Sequence, residues 1–136
     1  MRFSRHFRLQ KPEQFQRVFA QALHSGDRCF RVLARPNGFI HDRLGMAVSK
    51  KNCPRAVGRN RIKRVVRESF RTRLAGRSAS DFLDFVVLPS AAAAKRSNTE
   101  LFRSLNRHWQ NLAATTTTAN AGKRPERNER AALTED

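Results

Sequence analysis

His6, His24, His41 and His108 stand far apart in the chain, and none has a carboxylate at a spacing that would make an acid–base pair. Cys29 and Cys53 form no metal-spaced pair, and no Cys/His cluster suggests zinc. No Ser/His/Asp order emerges either, so no catalytic residue and no metal ligand is expected from the protein. The residues that invite chemistry are cations. In AVGRNRIKRVVRESFR, residues 56–71, Arg59, Arg61, Lys63, Arg64, Arg67 and Arg71 are set against a single acid, Glu68. Like charges at helical spacing repel, so the segment asks for a partner that removes the repulsion. Arginine dominates it, and a planar guanidinium can grip two phosphate oxygens or stack on a base.

The surrounding chain bounds what that partner is. A length of 136 residues suggests one domain with one modest core. The formal charge is +17, and residues 113–136 carry four basic and four acidic side chains, so the whole excess lies in residues 1–112. Charge confined to the foldable part reads as a binding surface for an anionic polymer. No apolar run reaches the ~18 residues of a membrane span. The basic N-terminus MRFSRHFRLQK is followed by no apolar stretch of a secretory signal. Two free thiols in a reducing cytoplasm are the expectation for the cysteines.

Elements that position the cations can be read from periodicity. Pro12 suits the first turn of a helix, and Phe15, Val18, Phe19 and Ala22 mark one apolar face, with Gly26 ending the stretch. CFRVLAR, 29–35, alternates as a strand, with Phe30, Val32 and Ala34 on one face and Leu33 interrupting the polar side. LGMAVSK, 44–50, is a second strand, in which Gly45 points to a close backbone approach. A short edge strand near 23–28 is a further expectation. A helix follows from about Ala56 to Leu74, with Ile62, Val65, Val66, Ser69 and Phe70 along its apolar arc and Gly76 as its stop. DFVVLP, 84–89, reads as a buried strand. SNTE, 97–100, matches a capping box, ahead of an apolar face of Leu101, Leu105, Trp109 and Leu112, with Phe102 also left to the core. The residues from 113 on are expected to be a disordered polar tail, with a helical turn near 126–133. The order α-β-β-β-α-β-α predicts an α+β domain over 1–112, a small three- or four-stranded mixed sheet covered by three helices.

On the helix of 56–74, Asn60, Arg64, Arg67 and Arg71 form one stripe, flanked by Arg61 and Glu68 on one side and Arg59 and Lys63 on the other. A solvated face normally mixes Glu with Lys. A membrane-surface helix would give its apolar face to lipid, yet the flanking strands need that face for the core. Nucleic acid is therefore the expected partner, and composition alone does not separate RNA from DNA.

FRLQKPEQFQRVF (7–19), LGMAVSKK (44–51) and above all AVGRNRIKRVVRESFR together resemble the protein component of bacterial ribonuclease P over roughly residues 5–112. The resemblance implies a subunit of the endonuclease that removes the 5′ leader from precursor tRNA. In that family a large catalytic RNA carries the chemistry with Mg2+, held mainly by the RNA. The small basic protein binds that RNA and the leader, with no obligate protein partner and no membrane role. The implied fold is an α/β sandwich with a left-handed crossover through the R-N-R helix, against the usual hand. Carried onto this chain, the catalytic-RNA surface is Arg59, Asn60, Arg61, Lys63, Arg64, Arg67 and Arg71. The implied leader cleft, between the first helix and the sheet, comprises Phe15, Phe19, Phe30 and Val32, with Ser49, Lys50 and Lys51 at its edge. Aromatic faces beside cations suit single-stranded nucleotides, though phenylalanines at i and i+4 suit a core equally well. Cys53 and Pro54 before the basic helix, Gly58 at its start and the lack of tyrosine depart from the family pattern. The alternative function is a structural rRNA-binding protein of the ribosome or its assembly.

Overall fold

Two helix starts follow from side-chain chemistry. Pro12 opens α1 (Pro12–Ala20), where its missing N–H is not needed. Gln14 Oε1 accepts the N–H groups of Gln10 and Lys11 at 2.6 and 2.9 Å. The SNTE box closes as its sequence predicts. The Ser97 N–H donates to Glu100 Oε1 at 3.1 Å, and the Glu100 N–H donates to Ser97 Oγ at 3.2 Å. It opens α3 (Asn98–Gly122).

Between them lie β1 (Leu23–Gly26), β2 (Phe30–Pro36), β3 (Arg43–Met46), α2 (Ala56–Arg73), β4 (Leu83–Pro89) and a 3-10 turn (Ala91–Lys95). The computed structural model describes residues 8–39, 41–74 and 82–122. The Gly76 stop and the turn near 126–133 lie outside the described residues. The strands form one mixed sheet in the order β1-β2-β4-β3. β2 pairs antiparallel with both β1 and β4, and β3 runs parallel to β4 with α2 as the crossover. At the β3 edge, Leu9 donates its N–H to the Leu44 carbonyl at 2.8 Å.

The sheet is covered on both faces. Phe30, Val32, Ala34, Leu44, Phe85 and Val87 point toward α2 and α3, where they meet Ile62, Val66, Phe70, Leu101, Leu105 and Trp109. Phe70, Phe85 and Trp109 pack edge to face, with ring centroids 5.2–6.3 Å apart. Ser69, a polar residue in the apolar arc of α2, is buried because it accepts the Trp109 indole N–H at 2.8 Å. On the opposite face, Leu33 and Val86 meet Leu9, Val18, Ala22 and Phe15 beneath α1.

Three boundaries differ from the expectation. α1 stops at Ala20 because Gln21 turns extended (φ −159°) and the chain passes into β1, so Ala22 is buried from outside the helix. β3 stops at Met46. The Ser49 carbonyl accepts the Cys53 N–H at 3.0 Å and Ser49 Oγ accepts the Asn52 N–H at 3.1 Å, closing a turn where strand was expected. α3 continues to Gly122, so the domain boundary expected at 112 falls inside a helix.

Candidate nucleic-acid interface

The apolar arc of α2 anchors it on the sheet, which leaves its cations on the outside. The helix opens without an acid in its first turn and without a side-chain cap at Arg55. Free N–H groups at the positive end of a helix dipole favour an anion there, and Lys50 and Lys51 are exposed in the turn just before it.

The cations divide by what they already hold. Arg59 Nη1 donates to the carbonyls of Cys53 and Pro54 at 3.0 and 2.8 Å, fastening the preceding loop to the helix. Arg61 reaches across to α3, with Nη1 2.6 Å from Asn98 Oδ1 and Nη2 3.3 Å from the Ala94 carbonyl. Arg71 pairs with Glu68 at 2.5 Å. Among the described residues Asn60, Lys63 and Arg64 hold no partner, and Arg67 Nε is shut from solvent without one. The stripe thus contains fixed guanidinia that brace the helix and uncommitted ones turned outward.

The two departures around the helix start fit each other. A Cβ on Gly58 would stand 3.0 Å from Cys53 Sγ, so the glycine makes room for the buried thiol. Asn52 Nδ2 also donates to the Pro89 carbonyl at 3.2 Å and ties the loop to the end of β4.

The α1 face of the sheet forms the second surface. Phe19 is 46% exposed, while Phe15 is half-buried against Leu9, Val18 and Val86. Gly45 is what admits the Phe15 ring, since a Cβ there would lie 2.5 Å from Phe15 Cε1. Leu88 is half-buried and pairs across the ladder with exposed Arg31. Arg35 Nη1 donates to the Arg17 carbonyl at 2.8 Å, joining β2 to α1.

Phe30 and Val32 do not belong to this groove. They are 1% and 0% exposed and point to the α2/α3 core, because alternation along β2 places Arg31, Leu33 and Arg35 on the α1 side instead. Leu33 is the signal that the sequence offered: an apolar residue on the supposed polar side shows that both faces are covered. Ser49, Lys50 and Lys51 are exposed, in a turn and not at a strand end.

The structure also supplies His108 with the carboxylate that spacing concealed. Its Nε2 is 3.3 Å from Asp27 Oδ1, and its Nδ1 shares a 2.6 Å hydrogen bond with Ser25 Oγ. The order resembles a hydrolase triad, but Ser25 and His108 are both buried, at 9% and 2% exposure, so the hydroxyl meets no substrate. The network is structural. Asp27 Oδ1 accepts the Cys29 and Phe30 N–H groups, and its Oδ2 accepts Ser104 Oγ and Arg107 Nη2. Burial pushes the Asp27 carboxyl up. The Ser104 hydroxyl, the Phe30 and Cys29 N–H groups and the charge at His108 outweigh it and hold the group well below the usual carboxylate range. Burial drives the His108 imidazole down, against the upward pull of Asp27.

An arginine-rich helix seated on one face of a small mixed sheet, with half-buried Phe15 and exposed Phe19 on the α1 side, marks a strongly basic α+β protein whose surfaces suit a nucleic acid. The comparisons narrow the class. The family model described as Ribonuclease P matches residues 3–113, and the chain belongs to the ribonuclease P protein family. The ribonuclease P protein component of Photobacterium profundum is 46% identical over 111 residues, covering 82% of this chain and 92% of that one. That of Methylococcus capsulatus is 46% identical over 107 residues, covering 79% and 81%. Among solved structures, a Staphylococcus aureus RNase P protein mutant described as defective in mRNA degradation activity is 33% identical. Its TM-score is 0.68, and the match covers 75% of this chain and 84% of that one. The Thermotoga maritima RNase P protein in complex with 1-(4-fluorophenyl)-2-thiourea is 29% identical, with a TM-score of 0.64 and coverage of 73% and 94%. The three helices and four-stranded mixed sheet are the α+β fold of these proteins, and nothing in the comparisons favours a structural rRNA-binding protein.

Proposed function

We propose that this protein is the protein subunit of ribonuclease P and acts in maturing the 5′ end of tRNA. The uncommitted cations of α2 bind the catalytic RNA, and the groove beside Phe15 and Phe19 takes the 5′ leader of precursor tRNA. The observation that carries the reading is the division of labour between the two surfaces. One is almost purely cationic and suits a phosphate backbone. The other sets a half-exposed phenylalanine near cations and suits unstacked bases. The holoenzyme is an endoribonuclease, and in this proposal its RNA subunit carries the chemistry, in the cytoplasm. Magnesium belongs on that RNA. Among the described residues no three His, Cys, Asp or Glu side chains gather to hold a metal. The buried carboxylates of Asp42 and Asp84 are turned to the Leu83 N–H and to Arg43 and Asn37. That donor set does not fit a protein-held magnesium site.

The test is reconstitution. Purified protein mixed with a bacterial ribonuclease P RNA at physiological salt should accelerate leader removal from precursor tRNA, and protein freed of RNA should cleave nothing. Phe19→Leu keeps most of the apolar volume. In the preassembled holoenzyme it should weaken binding of leader-bearing tRNA by several-fold, on the scale of a partial loss of the ~1–3 kcal/mol of one stacked base, and leave mature tRNA unaffected. Equal losses for both tRNAs would return Phe19 to a purely structural role.

A further inference from the structure

A pocket of about 240 Å³ lies between the β1–β2 turn and the first turns of α3, well apart in sequence from the R-N-R segment. Four arginines line it, Arg28, Arg96, Arg103 and Arg107, with two acids, Asp27 and Glu100. Arg96, Glu100, Arg103 and Arg107 follow at i, i+4, i+7 and i+11 on α3 and the residue pair before it, one stripe of a helical surface. Leu101, Leu105 and Trp109 meanwhile face the core.

The two acids offset only two of the four cations, Asp27 standing against Arg107 and Glu100 against Arg96, and the pocket keeps a net positive charge. Asp27 takes two backbone N–H groups that shape the β1–β2 turn, and its other oxygen takes Ser104 and Arg107, the latter at 2.9 Å. Glu100 closes the capping box of α3 and stands 3.7 Å from Arg96. The guanidinia of Arg28 and Arg103 hold no hydrogen-bond or ion-pair partner among the described residues, the one bond at Arg28 being that of its carbonyl to the Ser90 hydroxyl. Two guanidinia therefore face a small open cavity with their donors unspent, and a planar fork of N–H groups matches a tetrahedral oxyanion.

We propose that this pocket is an anion site that takes a phosphate group, supplied by the backbone of a bound RNA in preference to free phosphate. Continuity with the basic helix favours the RNA source. Arg61 joins α2 to Asn98 and Ala94, which flank Arg96 on either side of the α3 start. Arg61 is thereby fastened to the segment that carries Arg96, one of the arginines lining the pocket, which links the cations of α2 to those of the pocket. The inference rests on the reading that this protein binds the ribonuclease P RNA.

The experiment compares the double variant Arg28→Gln/Arg103→Gln with Arg64→Ala and with wild type, as full-length protein binding a bacterial ribonuclease P RNA across a salt series. Two lost phosphate contacts should weaken binding by about tenfold or more near 0.15 M salt. They should also make the logarithmic salt dependence shallower by roughly one to two units. Arg28→Lys/Arg103→Lys keeps the charge and should recover most of the salt slope. Thermal unfolding should be unchanged in both double variants, which separates a lost contact from a damaged fold. A double variant that binds like wild type while Arg64→Ala binds weakly overturns the RNA source and leaves the α2 reading standing. If neither differs from wild type, that reading falls and the inference with it. A parallel titration with inorganic phosphate at constant ionic strength follows the Arg28 and Arg103 side-chain N–H resonances. Saturable shifts together with unchanged RNA binding assign the pocket to free phosphate, and no shift with unchanged RNA binding overturns the anion site.

Discussion

Gly45→Ala tests how the groove is built. A Cβ at this position would stand 2.5 Å from Phe15 Cε1, 2.7 Å from Phe15 Cζ and 3.0 Å from Leu9 Cδ1. Contacts that short require something to move. The strand is pinned on one side by the β3–β4 ladder and on the other by the Leu9–Leu44 hydrogen bond, so the Phe15 ring is what yields. Replacing glycine by alanine restricts the unfolded chain and by itself stabilises by about 0.4–1 kcal/mol. Overpacking of a fitted contact costs about 1–3 kcal/mol. The overpacking term is the larger, and the expected net loss is about 1–2 kcal/mol, read by urea unfolding. In a domain of this size the melting temperature falls by several degrees per kcal/mol. Phe15→Leu in the same chain removes the ring atoms that collide. The double variant should therefore be more stable than the sum of the two single losses, by about 1 kcal/mol in a double-mutant cycle. The displaced ring should also reduce affinity for leader-bearing tRNA while affinity for the catalytic RNA holds. A Gly45→Ala protein as stable as wild type, or strictly additive losses, would refute the argument that Gly45 exists to seat Phe15.

Arg61→Ala and Arg64→Ala should part company. The first loses bonds to Asn98 and Ala94 and should cost about 0.5–1.5 kcal/mol of stability besides weakening RNA binding. The second holds no internal partner and should lower the salt slope by nearly one unit with unfolding unchanged; calorimetry beside a binding series distinguishes them. Acidification should destabilise the protein through His108. Burial holds its folded pKa below the ordinary value, so below about pH 6.5 the unfolded state takes up a proton that the folded state refuses. That contribution is complete above pH 6.5 and is lost as pH falls through the depressed folded value, at up to about 1.4 kcal/mol per pH unit. Asp27 contributes in the same direction only at far more acid pH. His108→Gln should flatten the profile between pH 7.5 and 5.5, and an unchanged slope there would count against a neutral buried imidazole.

Much of this was legible because it is local. The apolar arc of α2, the Pro12 start and the SNTE box each depend on residues within a few positions of one another, whereas Gly45 signalled a close approach without showing that the distant Phe15 and Leu9 make it. The face of the sheet to which a strand turns its side chains is not local. Alternation puts Phe30 and Val32 together, but only the packing of α1 over Leu33 decides that the groove lies on the other side. The network of Ser25, Asp27 and His108 and the arginine pocket join positions about eighty residues apart, and no spacing rule reaches that far. Arg59 and Arg61 read as free cations in a helical projection. Their inward bonds depend on where the loop at 53–54 and the start of α3 are brought.

The position of β4 has a bearing on how the protein is made. It is the third strand across the sheet but the last to leave the ribosome, and neither the β1–β2 hairpin nor β3 can reach the other until it inserts between them. Its Phe85 also supplies part of the floor on which α2 rests. During synthesis the arginine helix is therefore translated before the strand that seats it. For that interval the growing chain presents its densest cationic segment unanchored, next to the RNA of the machine that is building it. Contacts made then rest on charge alone and are salt-labile. Folding becomes cooperative only when β4 and α3 emerge, so a nascent chain arrested before residue 83 should show no protected sheet.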